Sequence, residues 1–129
     1  MLKLNCVHHI AIICKDYTAS KFFYTKILGL KIEQEIYRQE RDSYKLDLSL
    51  NGKYAIELFS FPNPPSRPSR PEATGLRHIA FEVDDIVATV AELLKHNIVA
   101  EPVRIDEFTS KKFTFIADPD DLPIEFYQK

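Results

Sequence analysis

The chain has 129 residues, 45% of them hydrophobic and 28% charged, a balance that fits one folded domain and excludes a disordered chain. Seventeen Lys and Arg stand against nineteen Asp and Glu, giving a net charge of −2 and no basic footprint for nucleic acid. Two cysteines, Cys6 and Cys14, are too few for a disulfide framework, and no apolar run reaches the roughly 20 residues of a membrane span. The expectation is a cytoplasmic protein with reduced thiols, both read as small buried hydrophobes, and with neither nucleic acid nor membrane as a partner.

In chain order, Val7–Cys14 (VHHIAIIC) is β-branched and predicts a mostly buried strand. Asp16 predicts an N-cap for a helix over Tyr17–Leu28, with Ala19, Phe23 and Ile27 on its apolar face and Phe22 beside them. Gly29 follows as the left-handed C-cap. Leu30–Ile36 is the next strand. In Tyr44–Leu50, apolar Tyr44, Leu46, Leu48 and Leu50 alternate with Lys45, Asp47 and Ser49, the pattern of a half-buried strand. Asn51-Gly52 then predicts a tight hairpin into Tyr54–Phe59.

Five of the eight prolines fall between Phe61 and Gly75. This segment predicts a stiff, extended connector; a second reading makes it a rim that offers Arg67 and Arg70 to an anionic ligand. After it the order returns: a strand over Arg77–Val83, Asp85 as N-cap, and a helical stripe of Ile86, Val90, Leu93 and Leu94 ending at Asn97. Ile98–Arg104, Lys112–Ala117 and Pro123–Tyr127 complete the set of strands.

The two halves align. HHIAIICKD from His8 lies over RHIAFEVDD from Arg77 with an offset of 69, and IELF from Ile56 over IEFY from Ile124 with an offset of 68. Two βαβββ units in one chain follow: module 1 about 5–60, a connector over 61–75, and module 2 about 76–128. The fold class is α+β, with the modules forming a curved mixed sheet around a metal site.

The repeat also selects residues. His9 pairs with His78 and Glu57 with Glu125, at His-to-Glu separations of 48 and 47. Imidazole and carboxylate together suit a divalent zinc, nickel, manganese or iron ion, and the absence of cysteine ligands removes a thiolate site. Alanine at 11 and 80 leaves room beside each histidine, and each glutamate sits among apolar neighbours, where an unpaired carboxylate is costly. By strand parity His8 faces away from His9, and the repeat replaces it with Arg77, so it reads as a strand-end polar residue. His96 reads as a helix C-terminal cation. Arg38, Arg41 and Arg77 read as solvated charges, with contact to a substrate carboxylate as the second reading. Neither a nucleophile elbow nor a glycine-rich phosphate loop is present.

HHIAI at 8–12, FFYTKILGL at 22–30, IELF at 56–59, GLRHIAFEVDD at 75–85 and DPDDLPIEFY at 118–127 resemble the vicinal oxygen chelate (VOC) superfamily. Within it the similarity is to the glyoxalase I (lactoylglutathione lyase) group and its small bacterial relatives. The resemblance covers essentially the whole chain and implies His9, Glu57, His78 and Glu125 as metal ligands. It also implies a Lewis-acid ion, Ni2+ or Zn2+ first and Mn2+, Co2+ or Fe2+ otherwise, acting on two adjacent substrate oxygens to stabilise an enediolate. Glu125 is then the proton-transfer base, with Glu57 as the alternative. Asp121 occupies a turn position where the family often has glycine. The expected activity is that of a metal-dependent lyase or isomerase on the hemithioacetal of a 2-oxoaldehyde with a thiol, in a homodimer. An epimerase, an Fe(II) dioxygenase and a metal-containing binding protein without turnover stay open beside it.

Overall fold

A computed structural model describes residues 1–129. The chain divides into two compact units, Met1–Ser66 and Arg67–Lys129, with the boundary inside the proline-rich stretch.

In the first unit β1 (Ile10–Cys14) leads to α1 (Tyr17–Phe22), β2 (Lys31–Arg38), β3 (Ser43–Leu50) and β4 (Lys53–Ser60). The sheet order is β1-β4-β3-β2, with β1 parallel to β4 and the other pairs antiparallel. Asp16 caps α1 by accepting from the Ala19 amide at 3.0 Å, as its sequence position predicts. The predicted helix does not run regularly to Leu28: from Phe23 to Ile27 it widens into a π-helical turn before Gly29 adopts φ +80°. Its inner face is Ser20, Phe23 and Tyr24, whereas Ala19 and Phe22 point outward. Asn51 and Gly52 both take positive φ, the conformation a type I′ hairpin turn demands.

Two sequence expectations for this sheet are corrected. Residues 7–9 form no strand, and β1 alternates, burying Ile12 and Cys14 and exposing Ala11 and Ile13. Strand β3 is buried on both faces: Leu46 and Leu48 are fully enclosed, and the predicted outer residues Asp47 and Ser49 are buried too. The polar pair escapes the penalty of burial by bonding, Ser49 donating to Glu33 at 2.6 Å and Asp47 accepting from Lys45 and Tyr54. Cys14 is buried, but Cys6 is exposed, because it precedes the sheet.

The second unit repeats the order: β5 (Ile79–Val83), α2 (Ile86–Lys95), β6 (Arg104–Ile105), β7 (Lys112–Ala117) and β8 (Pro123–Gln128). Its sheet runs β5-β8-β7-β6, again with first and last strands parallel. Asp85 caps α2 by accepting from Val87 and Ala88, His96 is its C-cap, and Asn97 takes φ 59° as expected. Ile86 and Leu93 are buried under the sheet with Ile124 and Phe126, but Leu94 is exposed. The strand expected over Ile98–Arg104 shrinks to two residues. Pro102 has no N–H to give, and the stretch is tied to β7 by Glu101 N–H to the Phe115 carbonyl and by the Thr114 hydroxyl to the Glu101 carbonyl.

Candidate metal centre

In each unit the parallel pairing of first and last strands sets one residue against the critical glutamate. Ala11 lies opposite Glu57 and Ala80 opposite Glu125. The histidine two residues before each alanine lies ahead of the strand, and its ring reaches the carboxylate. His78 Nε2 is 3.0 Å from Glu125 Oε2, and His9 Nε2 is 3.7 Å from Glu57 Oε1. Both glutamate side chains are nearly covered, at 15% and 14% exposure, whereas the histidines are at 35% and 27%.

These spacings suit a shared cation. Donor atoms bound at about 2.1 Å to one ion lie about 3.0 Å apart at a right angle and about 3.4 Å apart at a tetrahedral angle. The His78–Glu125 pair meets the first value, and the His9–Glu57 pair is a few tenths of an ångström wider. No group of three or more His, Cys, Asp or Glu side chains converges in metal-binding geometry, so each unit offers one pair.

The surroundings of the two pairs differ. Between Leu48 and Ser49 the β3–β4 register slips, leaving Ala55 as a bulge and turning Tyr54 onto the face of Glu57. The Tyr54 hydroxyl donates to Asp47 at 2.8 Å and stands 3.1 Å from Glu57, while its ring stacks on His9 with centroids 5.0 Å apart. Lys45 bonds both oxygens of Asp47 at 2.7 and 2.8 Å and lies 3.4 Å from Glu57. Burial pushes the Asp47 carboxyl up, but the bonds from Lys45 and Tyr54 outweigh it and hold the group below its ordinary value. Asp47 in turn keeps the Lys45 ammonium above its ordinary pKa, and burial and Asp47 raise the Tyr54 phenol.

Around Glu125 that polar frame is missing. Phe115 occupies the register position that Asp47 holds opposite Glu57, and its ring packs edge-on against His78 at 5.2 Å. His78 is the single ion-pair partner of Glu125. One glutamate is therefore anchored by a lysine and a phenol and the other is held by its histidine alone.

Sequence parity misplaced His8. Because the strand begins only at Ile10, His8 lies beside His9, Nδ1 to Nδ1 at 2.8 Å, with their rings edge to face. If His9 donates there, its Nε2 lone pair faces Glu57, the tautomer a metal requires. Arg77, at the matching place, sets Nη1 3.0 Å from His78 Nδ1. A guanidinium only donates, so that contact accepts no proton from His78 and must open when Nε2 takes a metal. Lys45, Asp47, Tyr54 and His8 were not selected from the sequence. The repeat search favours residues shared by both halves, and these four belong to one half only.

A family model describing the glyoxalase/bleomycin resistance protein/dioxygenase superfamily matches residues 7–126. The chain belongs to this superfamily. The uncharacterized protein YaeR of Escherichia coli (strain K12) is 61% identical over 129 residues, all of both chains. A glyoxalase family protein from Enterococcus faecalis has a crystal structure that superposes with a TM-score of 0.87 at 45% identity, covering 94% of this chain and 95% of that one. The trypanothione-dependent glyoxalase I of Leishmania major superposes at 0.72 with 26% identity, covering 97% and 87%. The superfamily's fold is thus that of the two βαβββ units described above.

Proposed function

We infer that the chain is a glyoxalase I-like lyase or isomerase using a divalent metal, Ni2+ or Zn2+ first, held by His9, Glu57, His78 and Glu125. The observation that carries this reading is the duplicated histidine–glutamate pair, each with Nε2 facing a nearly covered carboxylate. Likeness to a glyoxalase I supports the substrate class, the hemithioacetal of a 2-oxoaldehyde with a thiol. A bound ion supplies electrophilic polarisation of two adjacent substrate oxygens.

The protein's own groups divide the remaining work. Glu57, braced by Lys45 and Tyr54, is the fixed carboxylate. Glu125, free of such braces, is the base: it takes the proton from the carbon that bears hydroxyl and sulfur and returns it to the neighbouring carbonyl carbon. The hydroxyl proton passes to the adjacent oxygen, so the product is the isomeric hydroxy thioester and no oxidant is consumed.

Metal analysis of purified protein, then assay of the methylglyoxal–glutathione hemithioacetal with added Ni2+ or Zn2+, tests this reading. Bound metal that disappears, together with turnover, when His78 and Glu125 are both changed to alanine supports it. Unchanged metal content in that double variant overturns the site, and metal without turnover of any thiol adduct overturns the lyase.

A further inference from the structure

The second unit contains a cavity of about 360 Å³, within the range of small-molecule sites. The connector forms one wall, Arg104 and Phe115 another, and the turn around Asp121 and Pro123 closes it. The connector is fastened in place. Arg67 donates to the carbonyls of Leu76 and Arg77, and the Ser69 hydroxyl donates to the Asp121 carbonyl at 2.6 Å.

We propose that this cavity seats an anionic group of the substrate, a carboxylate or a phosphate, between Arg70, Arg77 and Arg104. The proposal rests on the reading of His78 and Glu125 as part of the reactive centre and narrows its substrate to an anionic vicinal-oxygen compound.

Three observations carry it. First, four arginines and three acids line it, and the ion pairs of Arg77 and Arg104 are exposed. Arg77 has Glu72 at 3.5 Å and Arg104 has Glu101 at 3.2 Å, both pairs more than two-fifths exposed, and Arg70 feels the charge of Glu72 without a direct ion pair. Exposed pairs of this kind contribute little, whereas a ligand carboxylate or phosphate accepts two parallel N–H bonds from one guanidinium. Second, Arg104 is pre-positioned, lying over the rings of Phe113 and Phe115 at 4.9 and 5.6 Å, so little freedom is lost when it closes on an anion. Third, the cavity adjoins the reactive pair. Phe115 lines it and also packs on His78, and Arg77 lines it while touching His78 Nδ1. A substrate anchored here by its charge presents its other end one side chain away, at His78 and Glu125. Glu72, Glu101 and Asp121 are the acids of the lining, and Asp121 is the one without a cationic partner.

The test is titration calorimetry of the full chain, as purified with its metal, using inorganic phosphate in one arm and succinate in the other, at constant ionic strength. Saturable binding of either is expected, identifying which anion is preferred. Arg70→Gln with Arg104→Gln should weaken it at least tenfold with Tm and metal content unchanged, and Asp121→Asn should tighten it. Absence of binding in both arms, or binding that neither change alters, overturns the proposal. Metal content in the same samples reads the other claim separately: anion binding that follows the arginines in a protein that takes no metal overturns the metal centre and leaves the cavity standing. With turnover established, the double variant should raise KM tenfold or more for the adduct of 2-mercaptoethanol with a 2-oxoaldehyde bearing a carboxylate and leave KM for the uncharged methylglyoxal–2-mercaptoethanol adduct within twofold. Equal changes for both adducts overturn the assignment.

Discussion

At the residue scale, the two glutamates are chemically identical and repeat-equivalent, yet their neighbours assign them different work. Glu57 meets Lys45 and Tyr54, and Glu125 meets His78 and an aromatic ring. Glu125→Gln is expected to retain most of the bound metal while turnover falls by about 10²–10⁴-fold, the usual reach of one acid–base group. Glu57→Gln should instead lose metal. Parallel metal analysis and kinetics distinguish the two, and equal metal loss in both would contradict the division of roles. His8 is a positioning residue acting through His9. His8→Ala should weaken metal binding about 10–100-fold in a chelator competition, with partial recovery in His8→Gln, because orienting partners of metal-bound histidines act on this scale. A merely structural His8 would lower Tm and leave the competition unchanged.

At the element scale, α1 is fixed to β2 by one charged cluster. Lys21 bonds Glu35 at 2.7 Å and the Tyr17 hydroxyl donates to the same carboxylate, while the Tyr17 ring stacks on Tyr44. Lys21 first, then Tyr17, hold the Glu35 carboxyl below its ordinary value of 4.5. A carboxyl with a depressed folded pKa stabilises the fold fully above its unfolded value, and that contribution fades as pH falls through the folded one. The Tm advantage of wild type over Glu35→Gln should therefore be present at about pH 7 and vanish in acid below pH 4.5. An advantage that persists unchanged in acid would show that shape, not charge, makes the contact. In the second unit, Asp85→Ala removes the cap that accepts two amide N–H groups and should cost about 1 kcal/mol by denaturant unfolding.

At the scale of the whole molecule, the proposed function requires both histidine–glutamate pairs. In the proposed four-ligand centre, changing His9 and Glu57 to alanine should abolish metal binding as completely as changing His78 and Glu125. Saturating metal at about a hundred times Kd should stabilise the folded chain by about 2.7 kcal/mol, removable with a chelator. Independent binding by the two pairs, seen as half the metal retained in either double variant, would contradict a single centre.

The duplication was legible because a strand–helix–strand order, two aspartate caps and a histidine–glutamate spacing recur in one register, and local chemistry dictates each of them. Side-chain alternation likewise placed His9 with Ala11 and His78 with Ala80, so the candidate ligands could be named before any coordinates. The tertiary structure decided what alternation cannot encode. Where β1 begins settles whether His8 faces away from His9 or touches it, and a single bulged residue at Ala55 turns Tyr54 toward Glu57. Where the connector is fastened makes its arginines a cavity wall. Ligand identity follows from residue type and repeat, which the chain carries locally. The company each ligand keeps depends on register and loop path, which long-range packing alone selects.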